Sequence, residues 1–146
     1  MQNWFQCTVK YEKTAEDGGL KKVSEAYLVN AINFTEAERR IIEELSPYMS
    51  GIFEVSDIKR ARFAEIFQSD NTDDDKFYKL KLSFITLDEK SGKEKRMSQQ
   101  LLVQADGLKT SIKRLEEELK GTTIDYDIVA VTETPIIDLF PFKVSE

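Results

Sequence analysis

Apolar and polar residues alternate from Trp4 to Glu12, with Phe5, Cys7, Val9 and Tyr11 on one side. That period of two predicts a half-buried strand over residues 4–12. Asp17-Gly18-Gly19 supplies hairpin-turn chemistry, because glycine takes the positive φ that tight hairpins demand. Residues 20–32 resume the alternation, with Val23, Tyr27, Val29 and Ala31 sharing a face. The period then changes. Phe34, Ala37, Ile41 and Leu45 recur at helical spacing, which predicts an amphipathic helix running to Tyr48. Thr35-Glu36-Ala37-Glu38 reads as a capping box at its start, with the Thr35 hydroxyl accepting from the Glu38 amide. Glu36/Arg40, Arg39/Glu43 and Arg40/Glu44 stand at i,i+4 spacing on the polar side, where opposite charges support a helix. Ser50-Gly51 ends the helix, and residues 52–67 return as an extended, bent strand.

The same order of elements then recurs. Residues 21–45 fall on residues 95–119 without a gap, and Lys21/Lys95, Ser24/Ser98, Leu28/Leu102, Val29/Val103, Ala31/Ala105, Arg40/Arg114, Glu43/Glu117, Glu44/Glu118 and Leu45/Leu119 are identical. Phe5, Val9 and Tyr11 meet Tyr78, Leu82 and Phe84, and Ile66-Phe67 meets Leu139-Phe140. The second copy reads as a strand over 77–86, a Ser91-Gly92 turn, a strand over 94–105, a helix over 107–120 and a strand over 124–132. Its helix stripe is Leu108, Ile112, Leu115 and Leu119; Lys109 replaces Thr35, so Asp106 is expected to cap, and Gly121 stops the helix. Apolar residues step by three from Val55 to Ile58 and from Ile128 to Val131. An odd step breaks the period of two and predicts a bulge in each final strand. Pro135 cannot donate to a ladder, so residues 136–142 are expected as an edge strand or a docked tail.

The fold class is therefore α+β: tandem duplicated ββαβ(β) units, antiparallel sheets and two helices in one pseudo-twofold domain over 1–146. Repeat one spans 4–68 and repeat two 76–142, around a common interior. Residues 69–75, Ser-Asp-Asn-Thr-Asp-Asp-Asp, have the polar composition of a solvated linker.

Composition narrows the chemistry. The chain has no histidine and one cysteine. The commonest general base near neutral pH is missing, serine and cysteine triads of the usual kind are excluded, and no zinc spacing exists. An EF-type calcium loop counted from Asp70 puts Asp75 and Lys81 where glycine and glutamate are required. There is no phosphate-binding glycine loop and no Gly-x-Ser-x-Gly. No catalytic activity, metal or cofactor is expected. Cys7 lies in the apolar alternation and is expected to be a small buried hydrophobe. The N-terminus has no basic start before an apolar stretch, and no run approaches the ~18 apolar residues that span a bilayer. The expected location is cytoplasmic, without membrane contact.

Charged residues make up 33% of the chain and the formal net charge is −6, which disfavours wrapping by DNA or anionic lipid. Against that background two strands are basic. Lys59, Arg60 and Arg62 lie in the last strand of copy one. Lys79 and Lys81 share the face away from the core in the first strand of copy two, and Lys10 and Trp4 occupy the matching outer side in copy one. A cationic sheet face with aromatics holds single-stranded nucleic acid by phosphate pairing and base stacking, with Trp4 or Tyr78 as the stacking ring. The opposing reading is equally physical, since edge strands carry Lys and Arg to block aggregation. Two functions follow: a non-catalytic nucleic-acid-binding accessory protein, favouring single-stranded DNA, or a protein-interaction or scaffold module. The second includes a homodimer joined through an edge strand or the 136–142 tail.

Trp4-Phe5, Val9-Lys10-Tyr11-Glu12-Lys13, Lys21-Lys22-Val23-Ser24-Glu25, Tyr27-Leu28-Val29 and Phe34-Thr35-Glu36-Ala37-Glu38 resemble an uncharacterised family of small proteins from gut Bacteroidetes and their phages. The resemblance covers nearly the whole chain. Its motifs are a hairpin and a capped helix, so it implies no activity and no site residues, while a phage link favours DNA-related roles. If residues 52–67 divide into two strands, each copy becomes ββαββ. Tandem units of four strands and one helix are similar to Whirly and PUR-type single-stranded DNA binders, with the order of elements permuted here.

Overall fold

The computed structural model describes residues 3–49 and 51–142. The strands are β1 (Asn3–Thr14), β2 (Leu20–Ala31), β3 (Phe53–Ala61), β4 (Glu65–Phe67), β5 (Lys76–Leu87), β6 (Glu94–Ala105), β7 (Asp125–Glu133) and β8 (Ile136–Phe140). The helices are α1 (Phe34–Leu45) and α2 (Leu108–Glu118), and a 3-10 turn, Ser46–Tyr48, follows α1. The protein is α+β, with two four-stranded sheets.

The chain divides into two compact units, one running to Arg62 and resuming at Pro135, the other spanning Phe63–Thr134. In the first, the strand order is β3-β1-β2-β8. β1 is antiparallel to β2 and β3, and β8 runs parallel to β2. In the second, the order is β7-β5-β6-β4, with β4 parallel to β6. Each strand and α-helix of one unit thus has its counterpart in the other. The bent strand 52–67 does divide in two. The fourth strand of each sheet comes from the other repeat: β4 follows the helix of copy one and pairs in unit two, while β8 follows the helix of copy two and pairs in unit one.

The interior follows from this exchange. Each unit holds a cluster of buried apolar residues. Phe5, Cys7, Val9, Tyr27, Val29, Ala31, Ala37, Ile41 and Leu45 lie together in unit one, with Phe140 of β8 packed against them. Tyr78, Leu80, Leu82, Leu101, Val103, Ala105 and Leu115 form the other, with Phe67 of β4 packed against it. A lone ββαβ unit leaves part of its sheet uncovered, and the exchanged strand supplies the missing aromatic. Burying such a side chain fully contributes about 1.5–3 kcal/mol.

The bulges fall where the odd apolar step placed them. Thr8 faces Asp57 while Val9 faces Val55, which makes Ser56 the extra residue. Lys81 faces Ala130 while Leu82 faces Ile128, which makes Val129 the extra residue. Both helix starts differ from expectation. α1 is capped by Asn33, whose side chain accepts from the Glu36 amide at 2.8 Å, and Glu36 reaches back to the Ile32 amide at 3.3 Å. The box is therefore Asn33–Glu36, and Thr35 lies inside the helix. α2 starts from Gly107 with no side-chain cap, in place of Asp106. α1 also ends earlier than Tyr48, at Leu45, and a separate 3-10 turn with Pro47 in its first positions follows from Ser46. Of the Ser50-Gly51 stop, Ser50 lies outside the described residues.

Candidate functional site

Register assigns each basic candidate to a face. Gln6 faces Lys59 and Trp4 faces Ala61 across β1 and β3. Trp4 and Lys59 therefore share the face away from α1, with Trp4 half-buried and Lys59 exposed. Lys10 is exposed on the same strand but faces Glu54, and Asp57 faces Thr8. That face is mixed in charge. Arg60 points the other way: it faces Phe5, and its guanidinium lies 5.4 Å from the ring centroids of both Phe5 and Phe34. It covers the half-exposed Phe34 as a cation–π lid. Arg62 is exposed just past the end of β3.

In unit two, Lys79 and Lys81 share the face away from α2 as expected, Lys79 half-buried and Lys81 exposed. Phe77 and Leu102, of the same face, are buried, so it is less open than alternation implied. Tyr78 is corrected. Its ring belongs to the buried cluster of unit two and is only 4% exposed, which removes it as a stacking platform. The eight candidates are thus divided: Trp4, Lys10, Lys59, Arg60 and Arg62 in unit one, Tyr78, Lys79 and Lys81 in unit two.

The identical pair Arg40/Arg114 has a matched structural task. Arg40 donates to the Asn30 carbonyl and Arg114 to the Gln104 carbonyl, at equivalent points of β2 and β6. Each also holds the chain beyond the exchanged strand. Arg40 donates to the Pro141 carbonyl at 3.1 Å, and Arg114 pairs with the Asp74 carboxylate at 3.0 Å. The 69–75 loop is therefore not simply solvated. Asp74 is buried, Ser69 donates to its carboxylate, and Gln104 takes the Ser69 amide and donates to the Asp74 carbonyl. These donors hold the Asp74 carboxyl below the usual range, Ser69 first and Arg114 next.

Two further features were not assigned from the sequence. One is a free strand edge. β4 pairs with β6 only at Leu101–Val103. The Ala64 amide donates to the Gln100 carbonyl at 2.8 Å, so the backbone groups of Gln100 point outward, as do those of Glu94, Arg96 and Ser98 by alternation. Among the described residues no strand pairs with Glu94–Gln99 on that side, and all of them are exposed. The other is a cleft of about 700 Å³ in unit one, walled by Tyr11, Tyr27, Tyr48 and Phe140 and edged by Glu25, Glu44 and Asp138. Tyr27 stacks on Phe140 with centroids 5.6 Å apart. Its hydroxyl is pushed up to about 12, by burial first and then by the charge of Glu25. The Tyr11 hydroxyl is raised chiefly because it donates to Glu25.

Architecture defines the class: a duplicated α+β protein whose two sheets each take a strand from the other repeat. Residues 3–142 match a family described as a domain of unknown function, DUF4494, and the chain belongs to that family. No curated protein matches it. Among the described residues no helix is long and apolar enough to cross a membrane.

Proposed function

We propose that this protein is a non-catalytic, cytoplasmic protein-interaction module that pairs with a second copy of itself through the free edge of β6. The observation that carries this reading is the exposed run Glu94–Gln99, with which, among the described residues, no strand pairs on the side away from β5. An antiparallel pairing centred on Met97 sets Arg96 opposite Ser98 and Lys95 opposite Gln99. No like charges are opposed, and the half-exposed Met97 meets its own copy. Such a contact is self-complementary, as a twofold dimer requires, and strand addition supplies main-chain hydrogen bonds directly. β8 is itself an edge strand, paired with β2 on one side, but it is only five residues long, so the longer run of β6 is the preferred edge. The resemblance to proteins of gut Bacteroidetes and their phages leaves the host setting of this module as part of the same proposal.

Nucleic-acid binding is the weaker reading. Arg60 is stacked on Phe5 and Phe34, and Lys10 faces a glutamate. One pair of experiments separates the two. Sedimentation of the full chain over a range of concentrations is expected to give a monomer–dimer equilibrium that Ser98→Pro abolishes. The proline removes an outward amide without touching the ladder to β5. A wild-type chain that stays monomeric throughout overturns the proposal. Titrating Trp4 fluorescence with a single-stranded oligonucleotide is expected to be flat, and salt-sensitive quenching would favour the nucleic-acid reading.

A further inference from the structure

The cleft of unit one sits where three unrelated features meet. The first is its aromatic wall. Tyr11, Glu25 and Tyr27 lie on the α1 side of the sheet, with Glu25 facing Val9 in the row between the two tyrosines. Phe140 stacks on Tyr27 from β8. The second is charge: Glu12, Glu25 and Asp138 line the cleft with Lys13, beside Glu44, which is paired with Arg40 at 3.8 Å. The third is the C-terminal end of α1. Its last turn carries no basic residue, and Glu44 and Leu45 line the cleft. A helix C-terminus carries partial negative charge and is normally matched by Lys or Arg. Acidic residues here add to that potential instead of offsetting it.

The repeat provides an internal control. Unit two builds the same sheet and helix, yet the positions of Tyr11, Glu25, Tyr27 and Asp138 are held there by Phe84, Gln99, Leu101 and Glu65. The fold accepts a neutral amide and a leucine where unit one keeps a carboxylate and a tyrosine. The polar aromatic set is therefore not required by the architecture. A departure from what the fold requires marks a place where function is expected to reside.

From this we infer that the cleft of unit one binds an organic cation, a guanidinium or primary ammonium group, seated against the less buried rings of Tyr11 and Tyr48, with Glu25 and Asp138 as counter-charges. Tyr27, only 7% exposed and stacked on Phe140, serves as wall and not as the seating ring. Ring faces attract such cations through their quadrupole. The carboxylates exclude anions and fix the sign of the ligand. This site shares no residue with the β6 edge, and the inference stands whether or not the chain dimerises.

The test is a two-dimensional amide NMR titration of the full chain with butylguanidinium, with a short arginine-containing peptide capped at both ends, and with uncharged butanol. Saturable shifts confined to Tyr11, Glu25, Tyr27, Tyr48 and Phe140 with either cation, and none with butanol, support the site. Equal binding of both cations assigns a free small cation as sufficient; tighter binding of the peptide assigns a partner's side chain. Glu25→Gln, which copies unit two, is expected to weaken binding about two- to fivefold, and Tyr48→Leu, at an 83% exposed ring, about three- to tenfold. Both variants are expected to fold, and the retained dispersion of unit-one resonances outside the cleft reports that directly. Absence of saturable shifts at millimolar cation, or equal shifts with butanol, overturns the inference.

Discussion

The matched arginines show how far one residue position can be fixed by geometry. Arg40 and Arg114 each satisfy a carbonyl of the neighbouring strand and secure the chain after an exchanged strand. Their surroundings differ at Asn30 and Gln104. Gln104 ties down residues 69 and 74, whereas the Asn30 Oδ1 is buried without a partner among the described residues. Asp74 is the costliest group to leave alone. Arg114→Leu strands its buried carboxylate, and losing one member of a buried pair costs about 3 kcal/mol. The native carboxyl titrates below its ordinary value, so its contribution is present above about pH 3.9 and is lost as pH falls below that. Urea unfolding is expected to show the Arg114→Leu penalty at neutral pH and a smaller one in acid, where Asp74 is neutralised. Cys7 gives the opposite sign. Burial, then Asp57 and Glu38, push its thiol from 9.0 up to about 12. Above pH 9.0 the unfolded thiol ionises while the folded one keeps its proton, so stability falls by about 1.4 kcal/mol per pH unit until the folded value is reached. Cys7→Ala removes that slope, and its stability is expected to decline less than wild type between about pH 8 and pH 10.

Among elements, those with long local periods were legible and those set by distant partners were not. The hairpins, the helix stripes and both bulges follow from apolar spacing within a dozen residues. The cap of α1 was misplaced by two residues, because Asn33–Glu36 and Thr35–Glu38 offer equivalent boxes and only the backbone decides. The exchange of β4 and β8 was illegible: three and five residues are too short to specify a partner strand. At the candidate surfaces, the shared face of Lys79 and Lys81 was readable from alternation. The turn of Arg60 onto Phe5 required counting through the bulge, and the burial of Asp74 depended on Arg114 in another element. The cleft joins residues 11, 25, 27 and 138, which no window of sequence contains. The bulge itself carries a sharp prediction. With Ser56 deleted, Val55 still faces Val9 and Ile58 still faces Cys7, so the apolar face is preserved. Deleting Lys59 instead moves Arg60 to the opposite face, because a one-residue slip inverts a strand. The first deletion is expected to cost about 1 kcal/mol and the second to expose Phe34, both read by urea unfolding and by the ring resonances of Phe5 and Phe34.

At the scale of the molecule, the boundary of the repeat and the boundary of the compact unit do not coincide. Repeat two, residues 76–142, lacks β4 and carries β8, whose pairing partner lies in repeat one. Unit two, Phe63–Thr134, is one continuous stretch holding β4, β5, β6, α2 and β7. It also keeps Phe67 against the cluster and the Ser69–Asp74–Arg114 network. Net stabilities of small domains are marginal, about 0.05–0.15 kcal/mol per residue, so losing a buried ion pair worth about 3 kcal/mol to break takes a large share of the total. A fragment of residues 63–134 is therefore expected to give dispersed amide resonances and a cooperative urea transition. A fragment of residues 76–142 is expected to unfold at lower urea or to lack a transition, although its sequence is the more obvious evolutionary module. The physical reason is that a duplicated chain can trade terminal strands between copies without changing either sheet's order, after which the unit that folds is the one that owns its complete set of neighbours. If the 76–142 fragment proves as stable as 63–134, the exchanged strands and the Asp74 loop contribute little, and the two clusters must be held chiefly by their hairpins and helices.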